Sequence, residues 1–440
     1  MKKQSMVVLS GVIAAVAVLS GCGAQDSKEN TSGQGKASVT LKYYNYDTDV
    51  LSAATKKQIE KYESMNPNIK IEPITLVPGN ASDTLRKLDI TMSSGEQVDV
   101  VKMPSIEEVM ARSALGVLAP LDELYAKDNI KPEEEYYVNP KYQGKYYASM
   151  ITSNNWFVLL NEDALKEANL PVPGFDWTWD DYREYAKKLT KGDRYGTYFH
   201  SWGEYTNPIA YTDKPNPYVK EDLKPLFDDA SFKYFFDLRR VMEKEDKSAK
   251  PLADVIGAKL NYRNEFFTGK AAMLMSANFM LSDVSNVEKY PHTFKTVFAP
   301  LPRSSKQVEP GLTNIGGDYL AIANGSKNKD EAYKFIRYMT TVQDGRIDMS
   351  GWKKGDSKAL IESLYGSNKN LVDVESLNAV LSDKRIKTAI SGDIAIPYGS
   401  QLKKVMEDGF SKFMLDNTSA EDAQKWMVQQ ADKIIQQNKK

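Results

Sequence analysis

From Val39 onward the spacing of apolar positions switches repeatedly between two periods. VTLKYYNY is rich in β-forming residues, LSAATKKQIEKYESM carries apolar positions at helical spacing, and NIKIEPITLV alternates with period two. Together they predict a β-α-β unit. A further helix over ASDTLRKLDITMSSG leads to VDVVKM, a short apolar strand, and then to IEEVMARSALG, a helix that Gly116 stops in the C-cap role. Such alternation predicts a parallel sheet with helices on both faces. The middle of the chain holds most tryptophans and long helical stretches such as TWDDYREYAKKLT, where Thr178 followed three residues later by Asp181 forms an N-cap arrangement. It predicts a second, more helical α/β lobe. Near the end DYLAIAN is a buried strand, NKDEAYKFIRYMT a helix packing on it, and Gln401 to Leu415 and Ala420 to Gln437 two amphipathic helices. In the last of these Ala423, Trp426, Met427, Ala431, Ile434 and Ile435 share one stripe, which predicts a core-facing side. No internal repeat is visible.

The chain before Val39 is of another kind. Lys2 and Lys3 precede Met6 to Leu19, an uncharged run too short to span the roughly 30 Å of a bilayer core as a helix. It closes on Leu19-Ser20-Gly21-Cys22, two small residues and the only cysteine. The segment resembles bacterial lipoprotein signals, although a short apolar N-terminus ending in a chance cysteine is a competing reading. The resemblance implies removal of residues 1–21, acylation of Cys22, and a mature chain held at the extracellular face of the cell membrane by lipid alone. Residues 22–37 contain no aliphatic side chain larger than Ala, so they cannot bury a core and read as a flexible tether.

Composition narrows the chemistry. With 440 residues, 41% hydrophobic and 27% charged, the chain has room for two globular domains. Losing Lys2 and Lys3 moves the formal charge from -1 to about -3, so no basic field is available and nucleic acid is not an expected partner. Once Cys22 carries lipid, no thiol remains for a disulfide, a nucleophile or a sulfur metal site. His200 and His292 are the only histidines, and neither sits in an i, i+4 pair or beside clustered carboxylates. No catalytic residue, metal or cofactor is expected.

Several separated segments resemble, in one order, the extracellular solute-binding proteins of ABC importers, in the group that binds oligosaccharides and includes maltodextrin-binding proteins. They are RSALGVLAPLDEL, GKYYASM, WFVLLNEDALKEANLPVP…WTWDDYREYAKKL, NEFFTGKAAMLMSANF, PLPRSS, GGDYLAIANGSKNKDEAYKFIRYMT and SDKRIKTAISGDIAIPYGSQL. NEFFTGKAAMLMSANF is the most specific, matching the family's F-x-x-G-x-A-A-M strand entry. The resemblance implies a type II periplasmic-binding-protein-like α/β fold: two lobes, a multi-segment hinge and a cleft between them. The expected lobes are 38–147 plus 301–347 and 148–300 plus 348–440, with crossings near 145–150, 298–303 and 345–350. A typical affinity for the ligand, on the order of micromolar, corresponds to about 8 kcal/mol.

The expected ligand is an oligosaccharide, because sugars pair apolar C–H faces with hydroxylated rims and so suit rings flanked by Asp, Asn and backbone groups. Ser276 to Phe279 would end a central strand at its carboxyl end, where open α/β sheets place ligands. Carried over by position, the candidates are Tyr44, Asp47, Asn154, Trp202, Asn278, Phe279, Asp318, Trp352 and Tyr398. Gly316 and Gly317 would let backbone approach the ligand. With 25 Tyr, 15 Phe and 6 Trp present, most rings belong to core or surface; Phe279 is read as a pocket ring ahead of a core one, while Trp352 and Tyr398 are equally placed for the core. Met103, Pro104 and Tyr398 depart from the maltodextrin pattern, which argues against maltose itself. The loaded protein, a monomer, would close like a hinge and dock on the transmembrane subunits of an ABC permease with a separate ATPase, there being no P-loop here. Two other readings compete: a secreted carbohydrate-active enzyme using Glu133-Glu134-Glu135 or Asp180-Asp181, and a sugar-sensing partner of a membrane sensor.

Overall fold

The computed structural model describes residues 38–438; the expected signal, Cys22 and the tether lie outside them. In chain order the strands are β1 (Val39–Asn45), β2 (Ile69–Thr75), β3 (Val100–Met103), β4 (Lys141–Tyr142), β5 (Lys145–Tyr146), β6 (Ala148–Met150), β7 (Asn154–Asn161), β8 (Tyr195–Tyr198), β9 (Ala271–Ala277), β10 (Thr296–Ala299), β11 (Ile315–Gly316) and β12 (Tyr319–Ile322). They form two main sheets, ordered β2-β1-β3-β12-β6 and β10-β7-β9-β8, each with its own core. This is the two-lobed α/β architecture. Among the described residues no helix is long and apolar enough to cross a membrane.

In the first lobe β1 runs parallel to β2 and β3, as the alternating pattern predicts. β12 then lies antiparallel to both β3 and β6, so the sheet is mixed. The reversal follows from β12 entering the first lobe from the second rather than through a crossover helix. Phe335 and Ile336 of the helix Lys329–Thr341 pack into this core beside Tyr43.

The second sheet is built around β9, whose seven residues AAMLMSA are all buried. The helix Tyr262–Phe267 ends at Thr268, and Gly269 takes φ +72 to turn the chain into that strand, a conformation cheap only for glycine. Thr178 and Asp181 form a complete capping box on the helix Trp179–Leu189, which buries Trp179, Tyr182, Ala186 and Leu189. In the last helix, Ala420–Asn438, Ala423, Met427, Ala431 and Ile435 are buried with Trp426 and Ile434 flanking them, and the stripe packs against Phe410 and Phe413 of the helix Gly399–Leu415.

The chain passes between lobes in neighbouring, hydrogen-bonded segments. Ile151 N–H donates to Asp318 O at 2.9 Å, Gly351 N–H to Ile151 O at 3.0 Å, and Ser153 N–H to Met349 O at 2.9 Å. A Cβ on Gly317 would overlap the Thr152 carbonyl, so the close approach there is between two crossing segments. One crossing falls at the edge of its expected range, 145–150, and one differs from the sequence expectation. β6 still belongs to the first sheet, so the first crossing follows Met150. Residues 300–314 stay with the second lobe: Trp177 Nε1–H donates to Pro300 O, Thr313 Oγ1 to Trp156 O, and β11 pairs with β7. The second crossing therefore falls at Gly316–Asp318, not at 298–303.

Candidate functional site

The carboxyl ends of β1 and β3 and the start of β12 carry a compact polar cluster. Lys102, 4% exposed, places Nζ 2.8 Å from Asp47 Oδ1 and 3.1 Å from Asp318 Oδ2. Tyr46 donates its hydroxyl to Asp318 Oδ1 at 2.8 Å, and Lys102 Nζ lies 5.1 Å from the Tyr46 ring centroid. Burial alone would push the Lys102 ammonium down, but the Asp318 and Asp47 carboxylates hold it well above its ordinary range. Burial and the Asp318 charge push the Tyr46 phenol up, so it remains a donor. Asp47 is internally satisfied, its second oxygen accepting from Thr55 Oγ1 at 2.9 Å. Asp318, whose side chain is 19% exposed, is the member open to a ligand.

The second lobe presents rings at the corresponding strand ends. Trp202, 36% exposed, has its ring centroid 6.3 Å from Phe279, 5.2 Å from Tyr262 and 4.7 Å from His200. Phe279 in turn meets Trp156 edge-on at 6.2 Å. Such edge-to-face contacts fix each ring by its neighbours and leave the Trp202 face as a firm platform. His200 Nδ1 lies 3.0 Å from the Tyr198 hydroxyl, and burial, with the Arg263 charge, pushes His200 down to about 4, leaving a neutral ring.

Asn278 sits beneath this group, but its amide is committed to the crossing: it accepts from Asn155 N–H and donates to Ser153 O, both at 2.8 Å. Asn154 is half-buried at the start of β7, opposite Gly316. Tyr44 is buried in the first core, and its ring leans toward the amino end of β3, where the hydroxyl donates to Gln97 O. Trp352 packs on the edge of the first lobe with its indole N–H donating to Glu135 Oε2 at 2.5 Å. Tyr398, 7% exposed, lies in the core around the C-terminal helices. The structure thus groups Asp47 with Asp318, and Trp202 with Phe279 above Asn278, while Tyr44, Trp352 and Tyr398 are packed elsewhere. Lys102, Trp156 and Tyr262, which complete these two groups, were not singled out from the sequence. The available signal was Lys102 itself, a lone ammonium inside the apolar run VDVVKM.

The acidic pairs have structural partners. Glu135 accepts from Trp352 and Lys354, Glu133 from Lys141, Asp180 from the Tyr234 hydroxyl, and Asp181 completes its cap. Among the described residues no three His, Cys, Asp or Glu side chains converge as a metal site.

The family described as bacterial extracellular solute-binding protein matches residues 46–345, more than half of the chain. The chain belongs to that family. Membership makes this solute-binding protein a capture device rather than an enzyme. Its relatives include the multiple sugar-binding protein of Streptococcus mutans, 25% identical over 369 residues, covering 78% of this chain and 80% of that protein. Among solved structures it is similar to a Rhizobium etli sugar transporter in an open conformation, at 23% identity and a TM-score of 0.73, covering 90% of this chain and 99% of that one. An ABC substrate-binding protein from Listeria monocytogenes in complex with cycloalternan gives 20% identity and a TM-score of 0.73, with the same coverages. These likenesses agree with the fold built above from its two sheets.

Proposed function

We propose that this solute-binding protein captures an oligosaccharide between its lobes and delivers it to the transmembrane subunits of an ABC permease. The observation that carries the reading is the pairing of an exposed Trp202 face, backed by Phe279 and Tyr262, with the Tyr46–Asp318–Lys102 cluster of the other lobe. A sugar ring stacks by its C–H face and needs hydrogen-bond acceptors at its rim, and these two walls supply the two requirements. Closure brings both walls to one ligand, which favours the closed state by its extra contacts. The protein works as a monomer, held through lipid on Cys22 at the outer face of the membrane, with the ATPase on a separate chain. The sugar named for the Streptococcus relative and the cycloalternan of the Listeria protein support an oligosaccharide. Calorimetric titration with neutral mono- to pentasaccharides tests the proposal: saturable binding in the micromolar range is expected, and no heat from any sugar at millimolar concentration refutes it.

A further inference from the structure

The charges around this site do not balance, and every cation among them already has a carboxylate partner. Lys102 is held between Asp47 and Asp318. In the second lobe Lys403 Nζ lies 2.8 Å from Glu204 Oε1, immediately beyond Trp202 and Gly203. Arg263 stands over the Tyr262 ring with its Nε 2.7 Å from Asp283 Oδ2. Glu107, from the first lobe, accepts only an uncharged donor in this group, the Tyr218 hydroxyl at 3.0 Å. Three cations therefore stand against at least five carboxylates, Asp47, Asp318, Glu204, Asp283 and Glu107, with Glu407 also beside Lys403 and Glu204. The neutral donors are engaged as well, since Tyr46 gives its hydroxyl proton to Asp318 and Tyr218 gives its own to Glu107.

Resting on the carbohydrate reading above, we infer that this cleft selects uncharged sugars and rejects sugars bearing a carboxylate or phosphate, with Asp318 and Glu107 as the specificity-determining carboxylates. An anionic ligand would find no unpaired ammonium or guanidinium in this set and would face at least two surplus negative charges at low effective dielectric, where repulsion persists. A neutral sugar uses the same carboxylates as acceptors for its hydroxyl protons. Lys102 acts as a positioning residue: it fixes the Asp318 carboxylate and is not itself free to grip an anion. A partner class that carries a carboxylate or phosphate, such as a uronate-tipped oligosaccharide or a sugar phosphate, is thereby turned away by charge rather than by shape.

The test is calorimetric titration of the full mature chain with neutral maltotriose, mannotriose and cellotriose, and with each trisaccharide oxidised to a uronate at its non-reducing end, in about 20 mM and about 500 mM salt. The neutral parent that binds is expected to bind at least about tenfold more tightly than its uronate at low salt, with the ratio shrinking at high salt. Asp318→Asn and, as a second variant outside the Lys102 pair, Glu107→Gln are each expected to narrow the ratio about threefold or more. A uronate bound as tightly as its neutral parent by the unaltered protein overturns this inference and leaves the carbohydrate reading standing, as does an unchanged ratio in both variants. No heat from any neutral or acidic sugar overturns the carbohydrate reading and this inference with it.

Discussion

The Tyr218 hydroxyl of the second lobe donates to Glu107 Oε1 of the first across 3.0 Å, and the Tyr211 hydroxyl lies 2.9 Å behind it. Nearby, Ser400 Oγ donates to Glu108 Oε1 at 3.3 Å, at the start of the helix Gly399–Leu415. Lys141 of the first lobe also meets Asp393 at 3.0 Å. These contacts tie the lobes together away from the crossing segments. A half-buried hydrogen bond to a carboxylate contributes about 1–2 kcal/mol, enough to shift an open–closed equilibrium by roughly tenfold. Tyr218→Phe is therefore expected to enlarge the sugar-free protein in small-angle scattering, and ligand to restore the compact form. An unchanged radius of gyration would show that this bond does not hold the lobes.

Trp202 is exposed over a third of its surface and backed by rings that stay in place without it. Trp202→Ala should weaken sugar binding by about tenfold or more, the equivalent of about 1.5–3 kcal/mol of lost apolar contact, and lower the melting temperature by only about a few degrees. Calorimetry and thermal unfolding read the two effects separately. Undiminished affinity would remove Trp202 from the binding wall.

Lys102→Met leaves Asp47 and Asp318 facing each other without their cation. Breaking a buried pair in this way costs about 3–5 kcal/mol, whereas removing all three charges costs far less. Urea denaturation should accordingly show a large loss in Lys102→Met and substantial recovery in the triple variant with Asp47→Asn and Asp318→Asn. Equal losses in both would mean that packing, and not unpaired charge, sets the effect.

The parts of the molecule written in local periodicity were readable from the chain, and the parts written in long-range pairing were not. Thr178 and Asp181, three positions apart, announce a helix start, and the capping box forms as their spacing implies. Gly116 takes positive φ where its helix stop was expected. The second crossing was displaced because β11 pairs with β7 across more than 150 residues, which no window around 298–303 registers. Tyr44 and Tyr46 lie two positions apart at the end of β1, yet one ring leans back into the core and the other reaches Asp318. Only the tertiary partner, Gln97 for one and Asp318 for the other, separates their roles. Trp352 and Tyr398 pack against the two lobes' cores, a placement that resemblance by position could not separate from ligand contact.

His200 gives a pH signature. Its ordinary value is 6.5, and burial with the Arg263 charge pushes it to about 4 in the folded protein. The unfolded chain then binds the extra proton between those values, so the His200 contribution is complete above about pH 6.5 and is lost as pH falls toward 4. Because His200 is only half-buried, the loss is about 1–2 kcal/mol rather than the full linkage value. The stability difference between the unaltered protein and His200→Phe should therefore shrink or reverse on acidification from pH 7 to 4.5. Parallel curves would contradict a depressed His200.

The most direct test of the two-walled clamp is a crystal structure of the sugar-loaded protein. The account predicts one sugar ring lying flat against Trp202, with hydroxyls donating to Asp318 and both lobes in contact with the same ligand. A sugar seated wholly on one lobe, or bound away from Trp202 and Asp318, would contradict it.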